Sequence, residues 1–220
     1  MVIGFRCSDK VSQKETWDDP IRKLDIAQFP SPFRAVLIGE PSCGKSALAL
    51  NFIVHNNFEE VYVVHQNELT TEYDNLDPTQ VLNEVPPLEF WREMDPSVKR
   101  CCIIDDLEYT SATKERCKNL ALMFRYVSSH CNLSILLCHQ SWFDCPRIVK
   151  KMCNIVCIWK IRSRQEVSMI ENRCNLDTGM LGHLFSTVAK NFHDSICLDF
   201  TTGTPYPIRV NLFSPIVFSD

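Results

Sequence analysis

The stretch Gly39-Glu40-Pro41-Ser42-Cys43-Gly44-Lys45-Ser46 decides the reading of this chain. It matches the spacing GxxxxGK(S/T), in which glycines let the backbone wrap a phosphate with its N–H groups pointing inward. A helix that begins near Lys45 adds the positive end of its dipole. The flanks agree with that geometry. Phe33 to Ile38 reads FRAVLI, an apolar run suited to a buried strand, and SALALNFIV after the loop has helical character. The pattern marks residues 39–46 as a phosphate cradle. Within it, Lys45 is expected to reach the β- and γ-phosphates of a nucleotide, and the Ser46 hydroxyl to ligate Mg²⁺.

Four further apolar runs follow the loop: VYVVH (Val61–His65), CCII (Cys101–Ile104), LSILLC (Leu133–Cys138) and IVCIWKI (Ile155–Ile161). Helical patterns separate them. Between Ser111 and His130 apolar residues fall at Cys117, Leu120, Ala121, Phe124 and Val127, and shorter helices are expected over 146–152, 165–173 and 180–190. Residues 66–99, with Pro78, Pro86, Pro87 and Pro96, read as loop-rich. SICLDF (Ser195–Phe200), a TTGTP turn and YPIRVNLF (Tyr206–Phe213) read as a C-terminal hairpin. Alternating strands and helices imply an α/β fold with a mainly parallel sheet covered on both faces. Ligands of such sheets bind at the carboxyl ends of the strands, which is where the chemistry-bearing residues of this chain fall.

The third run ends in Asp105-Asp106. A buried strand delivers both acids to the nucleotide edge. Asp105 is expected to hold Mg²⁺ directly or through water. Asp106 is expected to orient and deprotonate an attacking water. Glu108 is a weaker rival for the base, with a helix-start charge as its ordinary role. Gln140, just past the fourth run, could sense a γ-phosphate or hold the lytic water, whereas His139 beside it suits local packing.

Composition bounds the alternatives. The 220 residues, 45% hydrophobic and 23% charged, suffice for one domain with a real core and exclude collagen-like and disordered classes. No apolar run reaches the roughly 18 residues of a membrane-spanning helix, and Met1–Lys10 lacks the pattern of a secretory signal. The expected layout is an arm over residues 1–30 and a nucleotide-binding domain over 31–220. The formal net charge of −4 excludes a uniformly basic coat for nucleic acid, so any such contact must come from a local patch. The 12 cysteines show no zinc-type CxxC pairs and mostly sit in apolar runs, so they read as reduced, buried thiols in a reducing compartment.

These residues together resemble the additional-strand P-loop ATPases of the FtsK–HerA superfamily. Within it the chain is similar to viral genome-packaging ATPases, which occur in poxviruses and other large DNA viruses, virophages, Maverick/Polinton-type elements and adintoviruses. The resemblance covers about residues 33–213. It rests on GEPSCGKS, on VYVVH followed by TEYDNL, on IIDDLE, on SSHCNLSILLCHQSWF (Ser128–Phe143), and on RIVKKMCNIVCIWKIRS and YPIRVNLFSPI.

The resemblance implies a RecA/FtsK-like sheet with parallel core order 5-1-4-3-2, and an ATP- and Mg²⁺-dependent motor that moves double-stranded DNA into a preformed capsid. It also implies a homo-oligomeric ring, pentamer or hexamer, docked on capsid vertex proteins, with no membrane required. The motor would work in the host-cell interior, nucleus or cytoplasmic virus factory, with the virion as a further place. An arginine from the neighbouring subunit would complete each ATP site. Relatives often carry Gly-Arg-His at the helix end where this chain has Ser128-Ser129-His130, so Arg125 and Arg147 are the candidates. Arg147, Lys150, Lys151, Lys160, Arg162 and Arg164 form the densest basic stretch, able to touch DNA phosphates without reading bases. Trp142 and Phe143 read as packing residues, with a pore-loop role as the alternative. The competing functions are another P-loop DNA translocase of segregation or conjugation type, a nucleotide kinase, and a non-enzymatic nucleotide-bound switch or scaffold.

Overall fold

The computed structural model describes residues 4–7, 26–66, 72–109 and 114–219. The expected N-terminal arm lies largely outside them. Ten strands form the sheet: β1 (Gly4–Cys7), β2 (Arg34–Ile38), β3 (Glu60–Val64), β4 (Gln80–Leu82), β5 (Arg100–Asp105), β6 (Leu133–His139), β7 (Ile155–Trp159), β8 (Ser195–Asp199), β9 (Ile208–Val210) and β10 (Ser214–Ser219). Their order is β1-β10-β9-β8-β7-β2-β6-β5-β3-β4. From β7 to β4 every pairing is parallel. From β7 to β1 every pairing is antiparallel. The five strands expected from the apolar runs thus occur as β7-β2-β6-β5-β3, the 5-1-4-3-2 order, and the C-terminal hairpin extends the sheet beside β7.

Parallel strands must be covered on both faces, and side-chain alternation divides the core accordingly. Along β2, Val36 and Ile38 join one cluster with Leu120, Phe124, Val127, Val149, Ile170, Leu181 and Leu184. Ala35 and Leu37 join the other with Leu48, Ala49 and Phe52. One face is therefore covered by α1 (Lys45–Asn56). The opposite face carries α2 (Leu88–Arg92), α3 (Lys114–Leu122), α4 (Ser128–His130), α5 (Arg147–Met152), α6 (Arg164–Arg173) and α7 (Met180–Thr187). Among the described residues no helix is long and apolar enough to cross a membrane.

Beyond the added strands β1 and β10 at the antiparallel edge, two details were not expected from the sequence. The loop-rich region contains the short edge strand β4, parallel to β3, and helix α2, which starts directly after Pro87. The long helix expected over 111–130 is interrupted by a π-helical stretch, Met123–Val127. There Arg34 Nη1 donates to the Phe124 carbonyl at 3.0 Å. A donor inserted into the helical ladder is a recognised cause of such a bulge.

The segment before β2 is seated on α1. Asn56 accepts from the Phe29 N–H at 2.8 Å and donates to the Ala27 carbonyl at 3.2 Å. Phe29, Phe33 and Phe52 pack as tilted rings with centroids 5.1–5.7 Å apart. The cysteines from Cys43 to Cys197 are free thiols, all but Cys117 and Cys153 buried. Burial pushes Cys145 and Cys174 up to about 12, so they remain protonated and pack as small hydrophobes.

Candidate nucleotide site

The cradle forms where β2 stops. Gly39 N–H donates to the His139 carbonyl at 3.2 Å, which continues the β2–β6 pairing one residue past the strand. The chain then turns through Ser42 (φ 60°) and Gly44 (φ 110°), two left-handed residues, into α1 at Lys45. Gly44 supplies at no steric cost a conformation that a side chain would strain. Gly39 is required for a different reason. A Cβ there would lie 2.6 Å from Cys43 Sγ and 3.0 Å from Trp159 Cβ. Lys45 Nζ donates to the Gly39 and Glu40 carbonyls, both at 2.9 Å, which holds the ammonium against the loop it serves.

The outer wall of the cradle comes from residues that no motif announced. Trp159, the last residue of β7, donates its indole N–H to the His193 carbonyl at 3.1 Å. His193 Nδ1 lies 3.2 Å from the Cys43 carbonyl. A carbonyl oxygen only accepts, so this contact selects the tautomer protonated at Nδ1. The loop between α7 and β8 thereby props the cradle from outside. Glu40 also pairs with Arg162 at 3.1 Å, across an exposed gap.

The acidic pair faces this loop from β5, two strands away across β6. Asp105 closes β5, Asp106 turns through φ 50°, and the two carboxylates take different partners. Gln140 Nε2 donates to Asp106 Oδ1 at 2.8 Å. The expected base and the expected γ-phosphate sensor are therefore directly joined. Tyr73 donates its hydroxyl to Asp105 Oδ2 at 2.5 Å. Burial raises the Asp105 carboxyl above its ordinary range, while the Tyr73 hydrogen bond and the nearby Lys45 charge pull it down. Burial also lowers His139. Its ring meets Tyr109 edge-on at 5.6 Å, in keeping with the packing role expected of it.

The donor set suits Mg²⁺. This ion takes oxygen ligands, keeps several waters, and is usually held by one or two carboxylates together with substrate phosphates. Ser46 lies in the first turn of α1 at the end of the cradle and Asp105 closes β5, so two hard oxygen donors stand at the carboxyl ends of the parallel strands. Among the described residues no group of three or more His, Cys, Asp or Glu side chains could hold a metal alone. That favours an ion shared with phosphates over a closed protein cage.

The remaining candidates fall elsewhere. Arg125, on the π-helical stretch, and Arg147, at the start of α5, are exposed. Among the described residues no hydrogen bond ties either to Lys45, Asp105, Asp106 or Gln140. Glu108 lies in the loop after β5 rather than in a helix; its carbonyl accepts from Arg116 at 2.9 Å, and Glu115 is the acidic residue of the first turn of α3. The basic stretch is divided by β7. Arg147, Lys150 and Lys151 precede that strand, while Lys160, Arg162 and Arg164 follow its far end. Lys150 also turns inward, donating to the Trp142 carbonyl at 2.8 Å. Trp142 is buried and its backbone N–H donates to Glu166, whereas Phe143 is 43% exposed.

The sequence matches no protein-family model, and no curated protein is similar to it. Solved structures are similar in fold. The genome packaging NTPase B204 from Sulfolobus turreted icosahedral virus 2, in complex with sulfate, superposes with a TM-score of 0.61 at 16% identity, covering 83% of this chain and 96% of that one. The same protein in complex with ATP-gammaS gives 0.57 at 16% identity, covering 83% and 98%. The pCW3 conjugation coupling protein TcpA with ATPgS gives 0.51 at 14% identity, covering 86% and 67%. The fold is that of the P-loop ATPases. Loop, acidic strand end and glutamine strand end of this chain occupy one edge of that fold's parallel sheet.

Proposed function

We propose that this chain is an ATP-hydrolysing motor that moves double-stranded viral DNA into a preformed capsid. The observation that carries the reading is the Asp106–Gln140 hydrogen bond at the tips of adjacent strands β5 and β6, beside a loop whose lysine already curls over it. A water held between Gln140 and Asp106 attacks the γ-phosphorus in line, the bond to the β,γ-bridging oxygen breaks, and the proton passes to Asp106. Lys45 and the loop amides bind the charge on the β- and γ-phosphates. Ser46 and Asp105 are the residues that would hold Mg²⁺, which when bound neutralises phosphate charge.

An arginine of a neighbouring subunit, Arg125 or Arg147, completes the site in a pentameric or hexameric ring. Their exposure supports a role across a subunit boundary. Double-stranded DNA runs past cations that include Lys160, Arg162 and Arg164, and capsid vertex proteins receive the ring. The virophage and Maverick/Polinton type of packaging ATPase, acting inside the infected cell, is the finer placement. The resemblance in GEPSCGKS, IIDDLE and SSHCNLSILLCHQSWF supports it.

The test is ATP hydrolysis by the purified chain with and without double-stranded DNA. The proposal expects Mg²⁺-dependent hydrolysis that rises with DNA and disappears in Asp106→Asn. Hydrolysis indifferent to DNA, phosphoryl transfer to a small acceptor, or an Asp106→Asn variant as active as the parent overturns it.

A further inference from the structure

The stretch TEYDNL marks the resemblance but receives no chemical task from it, and the structure puts one of its side chains inside the site. Tyr73 is only 3% exposed, held in the core cluster on the α1 face of the sheet. Its hydroxyl is bonded to one of the two groups that would hold the metal. It donates to Asp105 Oδ2 at 2.5 Å.

We propose that Tyr73 is the positioning residue of the Mg²⁺ site, an inference that rests on the nucleotide-binding reading above. A carboxylate has two oxygens and rotates about its last bond. With Oδ2 engaged by the phenol, the rotation is fixed and Oδ1 is left to face the metal or its water. Asp105 is the terminal residue of β5, and the next residue turns away through φ 50°. Partners that orient ligands through the ligand's second atom are generally worth about 10–100-fold in metal affinity.

The arrangement distinguishes two roles by sign. A residue that orients the ligands strengthens Mg²⁺-dependent binding. A residue that merely plugs the metal's place weakens it. Calorimetric titration of the intact chain with a non-hydrolysable ATP analogue, in Mg²⁺ and in EDTA, reads the difference. Tyr73→Phe keeps the ring in the core and removes only the hydroxyl. The expected result is an affinity about 10–100-fold weaker in Mg²⁺ and unchanged in EDTA; the EDTA arm also reports an intact fold.

In an Asp105→Asn background, the same change is expected to cause a much smaller loss, because the Tyr73 hydroxyl then has no carboxylate to orient. Equal or tighter Mg²⁺-dependent binding in Tyr73→Phe overturns the inference, as does a full loss that persists in Asp105→Asn. If the parent chain does not bind the analogue, the nucleotide-binding reading itself fails; if it binds the analogue with no dependence on Mg²⁺, the Mg²⁺ site and this inference are overturned while nucleotide binding stands.

Discussion

The two halves of the site are built on different principles. The cradle half is made of backbone. Its shape comes from Ser42 and Gly44 in left-handed conformations, from the contact of Gly39 with Cys43 and Trp159, and from His193 holding the Cys43 carbonyl. The acidic half is made of side chains paired with side chains: Tyr73 with Asp105, and Gln140 with Asp106. A cradle of amides binds phosphate whatever the next step is. Paired side chains can release one partner and take up a water or a metal. The contrast divides labour between holding the nucleotide and turning it over.

Substitutions can break that division or sharpen it. The largest expected effect is on turnover alone. Asp106→Asn keeps the shape and the hydrogen bond from Gln140 but removes the proton acceptor, so steady-state hydrolysis falls by about 10²–10⁴-fold while analogue affinity by titration holds. A matching fall in affinity would erase the contrast. Gly39→Ala acts in the opposite half. Its added Cβ, at 2.6 Å from Cys43 Sγ, forces the loop or its wall to shift. Overpacking of this kind costs about 1–3 kcal/mol, so both the melting temperature and the nucleotide affinity are expected to drop together.

Replacing Gln140 with leucine removes the donor that orients Asp106. Turnover is expected to fall by about tenfold to a hundredfold, on the scale of a lost positioning partner, with the melting temperature preserved because the residue is exposed.

The smallest effect has a pH signature. Burial raises the Asp105 carboxyl, so the folded chain holds its proton to a higher pH than the unfolded chain does. Stability is therefore lost as pH rises from the ordinary carboxylate value through the raised one. Asp105→Asn, measured by thermal melting of the protein alone, is expected to be a few degrees more stable than the parent at pH 7. The gap should close as the pH falls below the ordinary carboxylate range. A variant less stable at pH 7 would mean that the Tyr73 and Lys45 interactions outweigh burial.

What could be read beforehand follows the same division. The five central parallel strands were legible because each is a short, almost wholly buried apolar run, such as Arg34–Ile38 and Ile155–Trp159. The loop, the acids and Gln140 were legible because they stand at fixed offsets from those runs. Strand β4 was not, since Gln80 and Val81 are exposed and an edge strand of three residues has no periodicity to show. The π-helical turn depends on Arg34, some ninety residues away in sequence, so no local pattern encodes it. Tyr73, Trp159 and His193 reach the site through tertiary packing. For Tyr73 the TEYDNL stretch was visible but its chemistry was not, because only the folded chain brings it to Asp105. The basic residues 147–164 look continuous along the chain, yet β7 divides them.

The most direct measurement is a structure of the chain with Mg²⁺ and a non-hydrolysable ATP analogue. The account predicts the triphosphate within residues 39–46, Lys45 Nζ moved from the Gly39 and Glu40 carbonyls to the β- and γ-phosphates, and Asp106 with Gln140 facing the γ-phosphate. An analogue bound elsewhere, or a triphosphate in the loop with both acids turned from the metal, would contradict it.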